Sequence, residues 1–379
     1  MAEKEKNIQE LLRCFHEAAA HPAKQMEKYL SEGRKVVLVA PVYTPEEIIH
    51  SMGMVPLGVW GGDLQLDEAK KYFPAFICSI MQSIVELGMK GVYNGASAIV
   101  IPSLCDSLKV LGQNWKYAVK DIPFIPMTYP QNRKPGFGRT FTKAGYERVI
   151  SDLTRAAGTV FQEDKLEESI GVYNAHNAVM RELPGVLCAH PEISAAERSD
   201  IFKSAWFMRK EEHTELVKSL LEALKTEEAG QKKKIPVMTT GILADAPDLL
   251  EILDDNGLQI VCDDVAAESR QYRTDTPEGE GTPLDRLAEK FAAMDNCSVL
   301  YDPEKKRVEY IVREAEAAGA KGVLVFLTKF CDPEEFDYPL IRKACEAAGL
   351  PCVLIEIDRQ MENYEQARTA IETFRDLVQ

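Results

Sequence analysis

Three cysteines stand where a chain of this pattern would gather ligands. Cys105 follows the apolar run Ser97–Ile101 and Pro102-Ser103-Leu104, and Cys331 follows Gly322–Leu327 and Thr328-Lys329-Phe330. Each run reads as a buried strand, and an amphipathic helical stretch comes after each cysteine. Cys78 opens a further helix after Phe73-Pro74-Ala75-Phe76-Ile77. Open α/β sheets bind ligands in loops at the carboxyl ends of their strands. Three thiolates converging there could hold an iron–sulfur cluster and leave one iron open. Helix amino ends beside them are expected to lower the thiol pKa values and favour the anionic ligand. Spacing by itself leaves other readings open: the three are far apart, with no local Cys-x-x-Cys, and could be small core residues or zinc ligands. Cys262, before Asp263-Asp264, is the main competitor, at what reads as the end of a strand. Cys14 and Cys345 in helices, Cys352 in a strand, and Cys188 and Cys297 in connections read as structural.

The elements that must position these residues follow a repeated order. An amino-terminal helical segment runs from Ile8 to about Ser31, with Leu11, Leu12, Phe15 and Ala19 on one face. Four strands are then expected: Val36–Ala40, Met54–Trp60, Ser97–Ile101 and Pro123–Met127. A helix opens at Thr44-Pro45-Glu46-Glu47, with Thr44 as cap, and Gly53 ends it. The second copy has strands at Ile235–Thr239, Leu258–Cys262, Gly322–Leu327 and Pro351–Ile355, with a helix opened by Asp245-Ala246-Pro247-Asp248 and ended by Gly257. Apolar strands alternating with helices predict parallel sheets. The expected fold is α/β: two doubly wound parallel-sheet domains of the flavodoxin/Rossmann-like kind. The division is 1–34 helical segment, 35–141 first α/β domain, 142–232 helical insert and 233–379 second α/β domain. The stretch Thr142 to about Glu228, with Leu166–Met180 and His213–Leu224 as its clearest helices, is expected to pack across both domains. Arg270–Pro283 reads as a long polar loop at the surface.

Bulk composition narrows the function. The 379 residues carry 45 Lys and Arg against 60 Asp and Glu, a net charge of −15. That balance repels phosphates and argues against nucleic-acid and anionic-membrane partners. The run Lys232–Lys234 reads as a solvated loop. The charged start Met1–Lys6 lacks an apolar region behind it, and no apolar run approaches the ~20 residues a bilayer requires. A cytoplasmic location is expected, and there nine cysteines favour metal or redox chemistry over disulfides. His16, His21, His50, His176, His190 and His213 form no metal-spaced motif. Neither a dinucleotide fingerprint nor a phosphate-binding loop is present, so any ATP is hydrolysed by another protein. Glu46 and Glu47 are the acid–base candidates. Arg270 is the candidate contact for an anionic substrate group, with a loop salt bridge as its rival role.

Taken together, several segments carry a family resemblance over nearly the whole chain. They are Thr44-Pro45-Glu46-Glu47-Ile48-Ile49 through Gly53-Met54-Val55-Pro56, then Phe76-Ile77-Cys78, Pro102-Ser103-Leu104-Cys105-Asp106 and Phe330-Cys331-Asp332-Pro333-Glu334-Glu335. The chain resembles the beta-type subunit of the (R)-2-hydroxyacyl-CoA dehydratases, 2-hydroxyglutaryl-CoA dehydratase most closely, in the superfamily that includes benzoyl-CoA reductases. The resemblance implies a [4Fe–4S] cluster on Cys78, Cys105 and Cys331, and in some members FMN or riboflavin. It implies an alpha-type partner subunit that binds the acyl-CoA, and an ATP-hydrolysing iron–sulfur activator that delivers one electron. The implied reaction takes the thioester to a ketyl radical anion, expels the 2-hydroxyl, loses a β-proton and returns the electron. This chain's cluster would relay that electron during conversion of (R)-2-hydroxyglutaryl-CoA to glutaconyl-CoA. The alternatives are a benzoyl-CoA reductase-type subunit and a cluster-free α/β scaffold or binding subunit.

Overall fold

The structure is a computed structural model that describes residues 2–228, 230 and 233–379, with side chains from residue 7 onward. Eight strands are seen: β1 (Val36–Val39), β2 (Val55–Gly58), β3 (Ala98–Pro102), β4 (Phe124–Met127), β5 (Ile235–Gly241), β6 (Leu258–Val265), β7 (Val323–Thr328) and β8 (Cys352–Ile357). They make two four-stranded sheets, ordered β2-β1-β3-β4 and β6-β5-β7-β8, and every pair is parallel. The fold is therefore α/β with two Rossmann/flavodoxin-like sheets, as the repeated order of elements predicts.

Helices complete it: α1 (Ala2–Ala20), α2 (Pro22–Ser31), α3 (Glu46–Ser51), α4 (Ser79–Met89), α5 (Asp106–Ala118), α6 (Gly136–Ala157), α7 (Glu163–Leu187), α8 (Ala195–Ser204), α9 (Lys210–Thr226), α10 (Pro247–Asp255), α11 (Pro283–Ala293), α12 (Lys306–Ala317), α13 (Asp332–Ala347) and α14 (Glu365–Val378). The single amino-terminal helix expected from periodicity is two, because Pro22 has no N–H to donate and its ring restricts His21. Helix α6 starts at Gly136, before the expected 142. Two helix starts also differ from expectation. Pro45, not Thr44, caps α3, and the Thr44 hydroxyl donates to the Ala40 carbonyl at 2.7 Å. Ala246 caps α10, with Pro247 at its first position, while the Asp245 carboxylate is used elsewhere. Gly53 and Gly257 end their helices at φ 75° and 66°, as a left-handed stop requires.

Alternation along the strands sends side chains to two faces. Val37 and Val39 pack with Ile48, Ile49 and Val149 on one side of the first sheet. Val36, Leu38, Ile99 and Ile101 point to the other side and share one core with Leu324 and Phe326 of the second sheet. That continuous core fixes the two sheets against each other. Among the intervening helices, α7 packs against both α3 and β6. At the end of β2, Gly58 donates to the Trp206 carbonyl at 2.7 Å, and Trp206 stacks on Trp60. A Cβ at Gly58 would lie 2.8 Å from the Trp206 Cβ, so this close approach requires glycine.

Two surface expectations change. Of the basic run, Lys232 lies outside the described residues, as does that edge of the expected helical insert. Lys234 is not solvated: its side chain is buried and pairs with Asp254 at 2.8 Å. The segment after Arg270 is not a free excursion either. It begins in a 3-10 turn, Ser269–Tyr272, and Arg270, Tyr272 and Thr276 are buried. Arg181 with Asp275, and Asn174 with Thr276, hold it down.

Asp245 links three elements. Its carboxylate meets Lys203 of α8 at 2.8 Å and Arg359 after β8 at 3.0 Å. Burial pushes its pKa up, but the two cations outweigh burial and hold the group down at about 2. A depressed carboxylate adds stability that is complete above the unfolded pKa near 3.8 and disappears as pH falls toward 2. Chemical denaturation between pH 5 and 2 should show the native chain losing about 2 kcal/mol more than Asp245→Asn across that window. Parallel curves for the two proteins would count against the ion triad.

Candidate functional site

Doubly wound sheets form a crevice where the strand order reverses. In the first sheet that point lies between β1 and β3, and their following loops carry Pro41 and Val42 on one side and Cys105 on the other. In the second it lies between β5 and β7, followed by Ile242 and Cys331. All of these residues, together with Cys78, line one cavity of about 500 Å³. Both switch points thus open onto the same space, and the expected trio of cysteines shares it.

Each cysteine occupies the residue just before a helix: Cys78 before α4, Cys105 before α5 and Cys331 before α13. Backbone N–H groups of the first turn lie near the sulfurs, those of Ile80 and Met81 at Cys78, Ser107 and Leu108 at Cys105, and Glu334 at Cys331. No thiol makes a capping hydrogen bond, and the Met81 and Glu334 N–H groups donate to the Cys78 and Cys331 carbonyls. The expectation of lowered thiol pKa values is overturned. Burial dominates, lifting Cys78 to about 12 and raising Cys105 and Cys331 as well, and the N–H groups offset only part of it. Without a counter-charge, three neighbouring thiolates at these buried positions would repel one another and lack solvation, so burial favours the protonated thiols. Bound cationic iron would reverse that balance.

The surroundings suit such a group. Among the described residues, no three His, Cys, Asp or Glu side chains converge closely enough to grip a single metal ion. A four-iron cluster has a different demand, since its sulfur ligands stand apart by the width of the cluster. Thiols at helix starts around a roomy, largely apolar hollow fit that demand better than they fit zinc.

Other cysteines lie elsewhere. Cys262 does not end its strand: β6 continues to Val265, and the Cys262 thiol faces the Glu314 carbonyl of α12. Cys14 is exposed, Cys345 is buried among the apolar residues beside α12 and α13, and Cys188 donates to the Val261 carbonyl.

Two anchors hold the cysteine helices, and neither was found from the sequence. At Cys78, the Ser79 hydroxyl accepts from the Arg359 backbone N–H at 3.1 Å, while the Arg359 side chain pairs with Asp63 and Asp245. A loop of the second sheet thereby pins a helix of the first. At Cys331, Glu334 in the first turn of α13 is fully buried. It accepts from Ser298 at 2.7 Å, Arg307 at 2.8 Å and Arg270 at 3.4 Å. Arg307 also meets Asp264 at 2.7 Å and Asp337 at 3.0 Å. Burial raises the Asp264 pKa, but Arg270, Arg307 and Arg273 outweigh it and hold the group well below the usual range. Arg270, expected to meet a substrate anion, has all three nitrogens engaged inside this network. Its salt-bridge role is the one the structure displays. Glu334 stood in the sequence three residues after Cys331, a spacing that offered a weak signal. Nothing marked Arg307.

Glu46 and Glu47 are not on the cysteine cavity. They open α3 and line a second chamber beyond Tyr43 and Thr44, where Glu46 pairs with Lys210 at 3.2 Å and Glu47 with Lys290 at 2.6 Å. Tyr43 itself has φ 63° and Phe330 φ 62°, both strained for residues with a Cβ. One sits between the chambers and the other directly before Cys331, and strain of this kind concentrates at working sites.

The fold and the site define a doubly wound α/β protein whose two switch points open onto one cysteine-lined cavity. Residues 41–378 match the family described as 2-hydroxyglutaryl-CoA dehydratase, D-component, and the chain belongs to that family. It is 47% identical to the (R)-phenyllactyl-CoA dehydratase beta subunit of Clostridium sporogenes over 98% of this chain and 100% of that one. It is 37% identical to the lactoyl-CoA dehydratase subunit beta of Anaerotignum propionicum, over 98% and 99%. With the (R)-2-hydroxyglutaryl-CoA dehydratase subunit beta of Acidaminococcus fermentans it shares 36% identity, over 97% and 99%. Dehydratases are hydro-lyases, and this chain is an enzyme subunit of that class. Among the described residues no helix is long and apolar enough to cross a membrane.

Proposed function

We propose that this chain is the beta-type subunit of a radical-type (R)-2-hydroxyacyl-CoA dehydratase and binds a [4Fe–4S] cluster through Cys78, Cys105 and Cys331. The observation that carries the reading is the sharing of one cavity by all three thiols at the two switch points. A bound cluster would supply one-electron reducing power. The chain's own residues lose the thiol protons, present the sulfurs from three helix starts, and line part of the hollow with the apolar side chains of Val42, Ile80, Met81 and Leu300. Glu334 and its arginines hold the Cys331 turn in place. The alpha-type subunit takes the acyl-CoA, and an ATP-hydrolysing activator delivers the electron that this subunit passes on.

For the acyl group, similarity favours an aryl chain such as (R)-phenyllactyl-CoA over (R)-2-hydroxyglutaryl-CoA, since identity is 47% against 36%. The test reconstitutes both subunits with the activator, ATP and reductant without oxygen, then compares kcat/KM. Phenyllactyl-CoA should be preferred by about tenfold, the worth of one poorly matched polar group. A preference for the glutaryl substrate would overturn the acyl assignment. Dehydration of neither, by protein that contains no iron, would overturn the function.

A further inference from the structure

The chamber beside Glu46 and Glu47 has features that the cluster reading does not use. Its volume is about 80 Å³, room for roughly five to eight water-sized groups. Its wall holds two carboxylates and two ammonium groups, paired as Glu46 with Lys210 and Glu47 with Lys290, so it is neutral overall. Tyr173 donates to Glu46 at 3.2 Å, and the Glu46 side chain, 22% exposed, marks the way out.

Two buried atoms on that wall are left without a partner among the described residues. His176 is fully buried and its Nδ1 makes no hydrogen bond. The hydrogen-bond chain behind it fixes its state. The Ile201 carbonyl can only accept, so the His213 Nε2, 2.9 Å away, carries the proton. Both rings are neutral, because burial and the nearby Lys210 ammonium push both pKa values down. The His213 Nδ1 therefore accepts, and the His176 Nε2, 2.9 Å from it, donates. His213 is not part of the chamber wall, so His176 turns that edge away and keeps a bare acceptor at Nδ1. Gln271 supplies the opposite need: its Nε2 is a buried donor with no partner, on the same wall. A bare acceptor and a bare donor, flanked by balanced ion pairs, are both costly unless something joins them.

We propose that this chamber is a binding site for a small zwitterion, a molecule of amino-acid size with one ammonium and one carboxylate group. The ammonium donates to His176 Nδ1 and lies near Glu46 or Glu47. The carboxylate accepts from Gln271 Nε2 and lies near Lys210 or Lys290. A ligand of net charge would leave that charge unbalanced in a neutral, half-closed space, whereas a zwitterion leaves the total unchanged.

Calorimetric titration of the full-length chain with glycine, L-alanine and L-serine, and with glycolate and ethylamine as single-charge controls, tests this. At least one zwitterion should saturate and bind about tenfold tighter than both controls, and His176→Phe should weaken it by about tenfold, as loss of one charge-assisted hydrogen bond predicts. Should His176→Phe fail to fold, Gln271→Met at a half-buried position serves the same purpose. No saturable binding of any zwitterion, equal binding of the controls, or unchanged binding by the variant would each overturn the proposal. The first of these means that the chamber holds only water. Binding is read without cluster or activity, so its outcome is independent of the dehydratase assignment.

Discussion

Replacing Cys331 by alanine is expected to leave the chain folded but without iron when it is purified anaerobically. The broad visible absorption and the EPR signal of the reduced protein should vanish together, and dehydration with the partner subunit and activator should fall below detection. The reason is the ligand count. Three thiols share the cavity, two from the first sheet's loops and one from the second's. With one removed, no other cysteine can replace it, since Cys262 is held on the α12 side of β6. Cys78→Ala and Cys105→Ala should behave alike, while Cys262→Ala keeps its iron. A buried thiol exchanged for a methyl costs little packing here, because the cavity is already roomy, so circular dichroism should report a native fold. Iron retained by Cys78→Ala and lost from Cys262→Ala would dismantle the assignment.

The second large effect belongs to Arg307. It is fully buried and meets Asp264, Glu334 and Asp337 at 2.7 to 3.0 Å, with Thr240 at 2.9 Å. Arg307→Leu keeps bulk but removes the one cation that touches all three buried carboxylates, leaving Arg270 and Arg273 to Asp264, Arg270 to Glu334 and Lys305 to Asp337. Breaking a buried ion network from one side costs about 3–5 kcal/mol, far more than the network's net worth. Urea denaturation should therefore show a midpoint shifted by that amount at unchanged slope. The loss should shrink at low pH, where the carboxylates protonate and no longer need a partner. A change under about 1 kcal/mol, typical of exposed ion pairs, would show that the network is solvated.

Much of the fold was legible because its signals are local. Apolar runs such as Val36–Val39 and Val323–Thr328 are buried on both faces and read as strands without a register argument. Glycine stops and proline starts marked helix ends to within a few residues. The places of Cys105 and Cys331 were legible for the same reason: each sits where a strand's loop meets a helix. Contacts between segments distant in sequence were not legible. Nothing near Ser79 announces Arg359, and nothing near Cys331 announces Arg307. The thiol pKa expectation failed because a helix start is a local feature, while desolvation depends on both sheets closing over the sulfurs. Asp245 likewise read as a cap because its neighbours suggested one, when its partners lie in α8 and beyond β8. Arg270 was placed in a loop by its polar neighbours and turned out buried, since two carboxylates outside that stretch, Asp264 and Glu334, draw it in.

The third thiol comes from a part of the chain translated long after the other two. A ribosome releasing this chain exposes Cys78 and Cys105 early, and both must wait through more than half of synthesis before Cys331 emerges. By then seven of the eight strands exist. Under the proposed cluster assignment, loading of inorganic iron and sulfide would thus be a closing event in the life of the nascent polypeptide. Until then the early thiols depend on the shelter of their own half to escape oxidation.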